Sequence, residues 1–439
     1  MATRVIILRH GQSSYNSQGR IQGRCNESAL TAKGIADAIT TGQALDGIKL
    51  AAVYCSPLQR AHLTAQNVVA QVAGAPTPIT DDRLQEVDLS PWEKMLFTEV
   101  AAQFPLEYQT WHERPHELVF TINGQEHQPV PALYAQAQEF WQDILPKHDG
   151  QTILIVAHNG INRALISTAT AIPQHYYQSI QQSNCAVSVL NFADGQVQME
   201  SLNQVAHMGK PLPEIKGTTQ GPRFLIVRHG ETDWNRAGRF QGQIDVPLND
   251  HGRSQAASAR DFLKEVPIDF AFTSHLLRPK ETAQIILEAH PGVTLQTNEK
   301  LQEISHGLWE GKLEAEIVVD YAQELIDWRT KPETVQMPEG ENLQDVWDRA
   351  GQAWQDILRK VGDVNQTGIV VAHDATNKVL LCQLLGLKMT DFWKVKQGNG
   401  AVTVVSYPNG IGQLPMIQAL NLTSHLSGGI LDKTATGAL

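Results

Sequence analysis

Two histidines in this sequence follow an arginine at the end of a short apolar run and precede a glycine. They lie in Arg9-His10-Gly11, after residues 5–8, and in Arg228-His229-Gly230, after residues 224–227. A short, β-branched run that ends at glycine is typical of a buried strand, and ligands of open α/β sheets bind at the carboxyl ends of the strands. An arginine beside a histidine suits an oxyanion such as phosphate, and the glycine allows close backbone approach. The two segments therefore predict two oxyanion sites.

The two histidine segments have matching distant partners. Each half contains two arginines, two histidines and one carboxylate in the same order: Arg9, His10, Arg60, Glu86 and His158, then Arg228, His229, Arg278, Glu303 and His373. Two arginines can clamp the non-bridging oxygens of a phosphoryl group. A neutral imidazole can attack phosphorus while the second imidazole, protonated, donates a hydrogen bond, and a carboxyl group can protonate the leaving alkoxide. This chemistry needs no metal ion or other cofactor, so the set predicts phosphoryl transfer from a phosphate ester.

The repetition extends over whole domains. Leu84-Gln85-Glu86 returns as Leu301-Gln302-Glu303, and the five residues 141–145 recur identically as 354–358. A chain of 439 residues is long enough for two or three domains at roughly 150 residues each. We therefore expect a tandem duplication, with domains at 1–207 and 223–426, a linker at 208–222 and a C-terminal tail at 427–439.

Strands and helices alternate within each half. In the second half, the pattern predicts strands near 223–228, 269–273 and 368–372, and a final, antiparallel pair near 401–406 and 414–419. It predicts helices near 249–264, 277–289, 313–328, 342–361 and 375–386. Alternating elements predict an α/β fold in which a mostly parallel sheet is covered by helices on both faces.

These motifs resemble those of the histidine phosphatase superfamily, whose phosphoglycerate-mutase-like fold is an α/β/α sandwich. The resemblance covers essentially the whole chain as two tandem domains, and it implies that His10 and His229 form phosphohistidine while Glu86 and Glu303 act as acid and base. It also implies that eight side chains contact the phosphate: Arg9, Asn16, Arg60, His158, Arg228, Asn235, Arg278 and His373. Four further residues fall in the substrate-contacting loop of the family: Gln22, Gly23, Gln241 and Gly242. A tight clamp for one phosphate favours a small phosphorylated metabolite as substrate. Within the family, the tandem arrangement is most similar to plant and cyanobacterial proteins related to 2-carboxyarabinitol-1-phosphate phosphatase.

The first half departs from the family pattern. The second half has the lid glycines Gly307 and Gly311 and the segment Gly340-Glu341-Asn342, whereas the first half has Ser90 and Lys94 and lacks the Gly-Glu pair between residues 119 and 131. That stretch is expected to reshape or close the first pocket. In the second half, Asp374-Ala375 replaces Asn159-Gly160, which is expected to alter how the leaving group is held. Catalysis is therefore expected in the second half, and both catalysis and simple binding of a phosphometabolite stay open for the first.

Two alternatives to a phosphatase follow from the same residues. A phosphoglycerate mutase would return the phosphoryl group to a second hydroxyl, and the catalytic set does not separate the two reactions. The short connections between Glu86 and His158 and between Glu303 and His373 favour hydrolysis, because a mutase needs a deep lid to exclude water. The other alternative is a non-catalytic binding module in the first half, but a pure binder has no use for Glu86.

Composition excludes several classes of partner. The net charge of −11 argues against a nucleic-acid surface or an anionic membrane as partner, and no apolar stretch reaches membrane-spanning length. The scattered Cys25, Cys55, Cys185 and Cys382 predict reduced, buried thiols, and the first strand begins too close to Met1 for a signal segment. We therefore expect a cytoplasmic protein, whose two domains can pack as a pseudo-dimer.

Several histidines lie outside the two sets. Residues 112–116 have the spacing of a zinc-protease motif, but Pro115 within that turn is expected to break the helix that the motif requires. His62, His275 and His306 lie next to motif residues, and surface or capping roles are expected for them.

Overall fold

The computed structural model describes residues 2–215 and 219–434. The chain divides into two units of strands and helices, Met1–Pro213 and Glu214–Leu439, here called unit 1 and unit 2. The division falls inside the predicted linker. Residues 216–218 of that linker and 435–439 of the predicted tail lie outside the described residues.

Unit 1 contains a six-stranded sheet and a separate hairpin. Its strands are β1 (Thr3–Arg9), β2 (Ala52–Cys55), β3 (Ile79–Thr80), β4 (Phe120–Ile122), β5 (Gln125–His127), β6 (Thr152–Ala157), β7 (Val187–Ala193) and β8 (Gln196–Gln204). The sheet order is β8-β7-β1-β6-β2-β3, with β4 and β5 forming the hairpin. Strands β1, β6, β2 and β3 are parallel, and β7 is antiparallel to both β1 and β8.

Helices cover both faces of this sheet. They are α1 (Ser14–Gln18), α2 (Ala32–Leu45), α3 (Gln59–Val69), α4 (Phe97–Gln103), α5 (Pro105–Glu113), α6 (Pro129–Ile144) and α7 (Asn159–Thr170). Helix α2 packs against α3, and α6 packs against α7. All side chains from Val5 to Leu8 are fully buried although alternate residues point to opposite faces, so the sheet is the middle layer of a sandwich.

Unit 2 repeats this architecture. Its strands are β9 (Arg223–Arg228), β10 (Phe270–Thr273), β11 (Leu295–Thr297), β12 (Thr367–Ala372), β13 (Val402–Ser406) and β14 (Met416–Leu422). Its helices are α8 (Asp233–Ala237), α9 (Asp250–Leu263), α10 (Leu277–Leu287), α11 (Glu314–Thr330), α12 (Leu343–Val361), α13 (Asp374–Leu384) and α14 (Ser424–Ser427). The sheet order is β11-β10-β12-β9-β13-β14, and β13 is antiparallel to both β9 and β14.

The predicted α/β sandwich and the antiparallel final pair are confirmed. In unit 2, each predicted strand and helix lies within a few residues of its observed position, and β11 is an additional short edge strand. Helix α9 begins where Asn249 caps it, because the Asn249 Oδ1 accepts a 2.8 Å hydrogen bond from the backbone of Gly252. The four cysteines are buried and free, as expected.

Unit 1 keeps part of the backbone geometry of Gly307 and Gly311, although it has Ser90 and Lys94 at these positions. Lys94 has a φ of 71°, close to the 81° of Gly311 in unit 2, so the left-handed turn is preserved without glycine. At the position of Gly307, unit 1 has Ser90, which does not share the positive φ of Gly307. In unit 2 a side chain at Gly307 is excluded, since a Cβ there would lie 2.0 Å from the carbonyl oxygen of Pro338. The stretch at 119–131 forms the β4–β5 hairpin, whose Phe120 packs on Trp92 at a ring-centroid distance of 4.9 Å.

Within the described residues, no helix is both long enough and apolar enough to span a bilayer.

Candidate active site

Parallel strand pairing brings the two histidines of each unit together. Arg9 lies opposite Ala157 in the β1–β6 register, so the next residues, His10 and His158, both lie at the carboxyl end of the sheet. Their ring centroids are 5.0 Å apart. Unit 2 has the same register between β9 and β12, and the His229 and His373 rings are 5.2 Å apart.

Hydrogen bonds define the tautomer of the first histidine. The His229 Nδ1 lies 2.7 Å from the carbonyl oxygen of Gly230, which only accepts, so Nδ1 carries the proton. The Arg278 Nε donates to His229 Nε2 at 3.2 Å, which places the lone pair on Nε2. Burial and the nearby Arg278 lower the pKa of His229 well below the usual value, so the ring is neutral at physiological pH. His10 has the same bond to Gly11, at 2.7 Å, and a similarly lowered pKa.

Backbone carbonyls anchor both arginines of each site. Arg278 donates to the carbonyl oxygens of Gly242 at 2.7 Å and Ile244 at 3.1 Å, and Arg228 donates to that of Gln397 at 2.7 Å. Unit 1 has the corresponding bonds, from Arg60 to Cys25 and Gly23 and from Arg9 to Gln182, at 2.7 to 2.8 Å. Such anchoring fixes the guanidinium groups before a ligand arrives.

The anchored arginines retain unused donors. The Nε groups of Arg9, Arg60 and Arg228 are buried and have no hydrogen-bond partner in the described part of the chain. Burial lowers the pKa of Arg9 and of Arg278 to about 10, which leaves both charged at neutral pH. These are the properties of an oxyanion clamp.

An asparagine in each site offers a further donor. The Asn235 Oδ1 accepts hydrogen bonds from the backbone and hydroxyl of Thr232, both at 3.1 Å, and from the Asn399 amide at 3.3 Å. The Asn235 Nδ2 is therefore left to donate to an anion. Asn16 is held in the same way by Ser13 and Asn184.

The second histidine is neutral and is held by a serine. His373 Nε2 lies 3.0 Å from Ser274 Oγ, and His158 Nε2 lies 2.8 Å from Ser56 Oγ. Burial, and then the neighbouring arginine, lower the pKa of both histidines well below the usual value. The lowered pKa makes the second imidazole neutral, contrary to the expected protonated ring. When the serine hydroxyl donates to Nε2, the neutral ring carries its proton on Nδ1, which has no partner among the described residues and remains a donor.

The carboxylates lie at the N-termini of the helices that follow the second histidines. Glu303 accepts backbone hydrogen bonds from Asp374 at 3.0 Å and Thr376 at 3.4 Å, and Glu86 accepts bonds from Gly160 and Ile161, both at 3.1 Å. Burial, and then the Asp374 carboxylate, raise the pKa of Glu303 above the usual value for glutamate. A raised pKa suits a group that must give up a proton near neutral pH.

Gly23 and Gly242, which are predicted to lie in a substrate-contacting loop, contribute through their backbone. Gly23 and Gly242 have φ values of 51° and 57°, and a Cβ would lie 2.4 Å from Glu93 Oε1 or 2.0 Å from Glu310 Oε1. Their carbonyl oxygens hold the second arginine of each site, as described above. Gln22 accepts a 2.8 Å bond from Ser13, whereas the buried Gln241 Oε1 has no partner among the described residues.

The glycine after the first histidine of each site serves packing. A Cβ on Gly11 would lie 2.4 Å from the carbonyl oxygen of Gly34, and one on Gly230 would lie 2.3 Å from that of Gly252. The structure therefore gives these glycines a packing role against a neighbouring helix, and the close backbone approach to an oxyanion stays a prediction.

Sequence reasoning missed several supporting side chains. Thr64 and Thr282 accept the backbone N–H of Gly11 and Gly230 at 3.0 and 3.1 Å. The serines and the asparagines Asn184 and Asn399 described above had no assigned role. Their recurrence at equivalent places in the two halves was the available signal.

The other candidate histidines lie elsewhere. Helix α5 ends at Glu113, before Pro115, and His112 is exposed and bonded to the carbonyl oxygen of Tyr108, so the zinc-protease spacing is not on one helical face. In residues 2–215 and 219–434, no group of three or more His, Cys, Asp or Glu side chains is arranged to hold a metal ion. His306 is fully buried between Phe240 and Trp328, contrary to the expected surface or capping role, and burial lowers its pKa to about 3.

Comparison with known proteins gives matches over both units. The family model "Histidine phosphatase superfamily (branch 1)" matches residues 5–205 and 224–419. The chain is 28% identical to 2-carboxy-D-arabinitol-1-phosphatase of Triticum aestivum, over 97% of this chain and 87% of that protein. It is 33% identical to 2,3-bisphosphoglycerate-dependent phosphoglycerate mutase 2 of Gloeobacter violaceus, over 39% of this chain and 80% of that protein. The solved structure of Bacillus stearothermophilus YhfR is 27% identical and covers 47% of this chain and all of its own, with a TM-score of 0.44.

Proposed function

The chain belongs to the histidine phosphatase superfamily, and we propose that it hydrolyses a small phosphorylated metabolite through a phosphohistidine intermediate without a metal ion. The observation that carries this proposal is the tautomer of His229. The His229 Nδ1 donates a hydrogen bond to the carbonyl oxygen of Gly230, and the lone pair on Nε2 accepts one from the Arg278 guanidinium. A neutral, oriented imidazole beside an arginine clamp is a nucleophile adjacent to a phosphoryl site.

In the first step, His229 Nε2 forms a bond to phosphorus and the bond from phosphorus to the ester oxygen breaks. Arg228, Arg278 and Asn235 donate to the phosphoryl oxygens, and His373 donates from Nδ1. These donors stabilise the negative charge of the transition state. Glu303 gives its proton to the departing alkoxide, which leaves as an alcohol.

In the second step, water attacks the phosphohistidine. Glu303, now a carboxylate, takes a proton from the water as its oxygen bonds to phosphorus. The bond between phosphorus and Nε2 breaks, which releases inorganic phosphate and restores the neutral histidine. Unit 1 would use His10, Glu86, Arg9, Asn16, Arg60 and His158 in the same roles.

A bisphosphoglycerate-type mutase is the competing reaction, since relatives of both kinds occur. The full-length relative named above is a phosphatase, and its match spans both units, whereas the mutase relative matches 39% of this chain. This favours hydrolysis. By the same argument, the substrate class is a small sugar phosphate or phospho-acid, and 2-carboxyarabinitol 1-phosphate belongs in any panel of candidates.

We propose further properties of the whole protein. We attribute the two matched units to duplication of one domain, and propose that they pack as a pseudo-dimer. Gln22, Gly23, Gln241 and Gly242 are proposed to border the leaving-group side of each pocket. The chain is proposed to act in the cytoplasm, on a small molecule instead of nucleic acid or a membrane.

Phosphate release from a panel of esters, with EDTA present, tests the proposal. The intact chain is compared with His10→Ala, His229→Ala and the double variant. We expect release that survives chelation and is lost in the double variant, with the single variants dividing it between the units. Conversion of 3-phosphoglycerate to 2-phosphoglycerate without phosphate release would establish the mutase instead. Full activity in His229→Ala and none in His10→Ala would confine catalysis to unit 1, and the reverse would leave unit 1 as a binding module.

A further inference from the structure

The two sites differ at the residue after the second histidine. Unit 1 has Asn159 there and Arg163 one turn later, whereas unit 2 has Asp374 and Lys378. Lys378 Nζ lies 2.7 Å from Asp374 Oδ2 and 4.4 Å from the ring centroid of Trp393. Unit 2 therefore contains a buried ion pair at a position where unit 1 has an amide.

Arg163 does not form the equivalent pair. It donates from Nε to the carbonyl oxygen of Ile180 and from Nη1 to Gln178, both at 2.6 Å. The Arg163 guanidinium is thus bonded to groups other than Asn159. Of the two sites, only that of unit 2 has an acidic side chain after the second histidine.

The Asp374 carboxylate lies between the phosphate clamp and the general acid. Its Oδ1 is 3.6 Å from Arg228 Nη1, and its backbone N–H donates to Glu303 Oε2 at 3.0 Å. Since Arg228 would hold the phosphoryl group and Glu303 would protonate the ester oxygen, Asp374 lies where the leaving group joins phosphorus. The Asp374 side chain is only 3% exposed.

One oxygen of this carboxylate has no hydrogen-bond donor. Asp374 Oδ2 accepts a hydrogen bond from Lys378, whereas Oδ1 forms the 3.6 Å ion pair with Arg228 and accepts no hydrogen bond from the described residues. A carboxylate oxygen only accepts, so it repels phosphoryl oxygens and attracts a donor. Within the substrate, the leaving group is the part that can supply such a donor.

We propose that Asp374 selects phosphate esters whose leaving group carries a hydroxyl or ammonium group on the carbon next to the ester carbon. This inference rests on the proposed function of unit 2. A site built around a buried acceptor discriminates against an analogue without the donor, because the acceptor oxygen then lacks a hydrogen bond. A hydrogen bond to a charged group corresponds to a preference of about 10- to 100-fold.

Paired esters test this directly in a His10→Ala background, in which only unit 2 turns over. We would measure kcat/KM for 2-hydroxyethyl phosphate and O-phosphoethanolamine, each relative to ethyl phosphate. The ratio within one preparation does not depend on the fraction of folded enzyme. Asp374→Ala should abolish both preferences, whereas Asp374→Asn should abolish the preference for the ammonium and retain part of that for the hydroxyl, since an amide oxygen still accepts.

Asp391→Asn is the matched control. Asp391 is also buried and paired with a lysine, Lys394 at 2.7 Å, but bonds to neither Arg228 nor Glu303, so its ratios should equal those of the parent. Parent ratios in Asp374→Ala would overturn the inference while hydrolysis itself continues. Failure of the parent to cleave any ester would instead overturn the proposed function, and the inference with it.

Discussion

The Arg278 Nε donates to His229 Nε2 at 3.2 Å, so the proposed nucleophile and one arm of the phosphate clamp are in direct contact. The same guanidinium is fixed by the carbonyl oxygens of Gly242 and Ile244. The loop that contains Gly242 and Ile244 therefore orients Arg278, and Arg278 in turn orients His229. An incoming phosphoryl group competes with the His229 lone pair for the hydrogen bond from Arg278 Nε.

Arg278→Lys should be severely impaired despite retaining the charge. Lysine has no planar fork, so it cannot bond to both carbonyls, the histidine and the phosphoryl oxygens together. We expect kcat for unit 2 to fall by about 100- to 1,000-fold, as for loss of one preorganised donor. Steady-state kinetics in the His10→Ala background measure this effect. A variant with wild-type kcat would show that the contact is incidental.

Ser274→Ala should impair the second histidine without removing it. Without the hydroxyl at 3.0 Å, the proton of neutral His373 is no longer confined to Nδ1, and a lone pair there would face the phosphoryl oxygens. Since one neutral hydrogen bond is lost, we expect about a 2- to 10-fold decrease in kcat. Ser56→Ala should do the same for unit 1 when His229 is replaced by alanine. Equal rates for Ser274→Ala and its parent would mean that the serine does not set the tautomer.

The pH dependence of unit 2 follows from two opposite shifts. The pKa of His229 is lowered by burial and Arg278, so the nucleophile stays neutral as pH falls through the usual range of histidine. The pKa of Glu303 is raised by burial and Asp374, so the acid stays protonated above the usual range of glutamate, and activity is lost as pH rises through the raised value.

A profile of kcat against pH in the His10→Ala background measures both limbs. Glu303→Gln should remove the alkaline limb and lower kcat by about 10²- to 10⁴-fold for esters with poor leaving groups. Aryl phosphates, whose leaving groups need little protonation, provide the control: release of the aryl alcohol in the first turnover should be less affected, because only the second step then needs Glu303. An alkaline limb that persists in Glu303→Gln would assign the titration to another group.

Gly160 is required in unit 1 by a neighbour that unit 2 lacks. A Cβ at Gly160 would lie 2.5 Å from both Tyr177 Oη and Glu86 Oε1. In unit 2, Ala375 is equivalent to Gly160, and Phe392, which has no hydroxyl, is equivalent to Tyr177. In the His229→Ala background, we expect Gly160→Ala to lower kcat by about tenfold, since relief of an overlap that costs about 1–3 kcal/mol would move the Glu86 carboxylate from its position. Adding Tyr177→Phe should recover much of the activity. A double variant no better than Gly160→Ala would place the conflict at Glu86 alone.

The sequence predicts the parts of this protein that short-range pattern and internal repetition determine. Buried runs and the Asn249 cap indicate the strands and helices, and the repeat identifies both catalytic sets before any distance is known. Other features depend on which remote atoms meet. The pairing of His373 with Ser274, the packing of Gly230 on Gly252 and the burial of His306 follow from tertiary contacts that no local pattern encodes. The prediction of a protonated second histidine was wrong for the same reason, because burial in the folded chain lowers the pKa of this residue.

Detection of phosphohistidine tests the central claim most directly. The protein would be mixed with an aryl phosphate that it hydrolyses, quenched in alkali within one turnover and mapped by peptide mass spectrometry. Glu86→Gln and Glu303→Gln variants would slow breakdown more than formation, because an aryl leaving group needs little protonation. The account predicts phosphate on His229, and on His10 if unit 1 is active, with no such label in the corresponding alanine variants. Steady hydrolysis without phosphate on either histidine, or hydrolysis that continues in the double alanine variant, would contradict it.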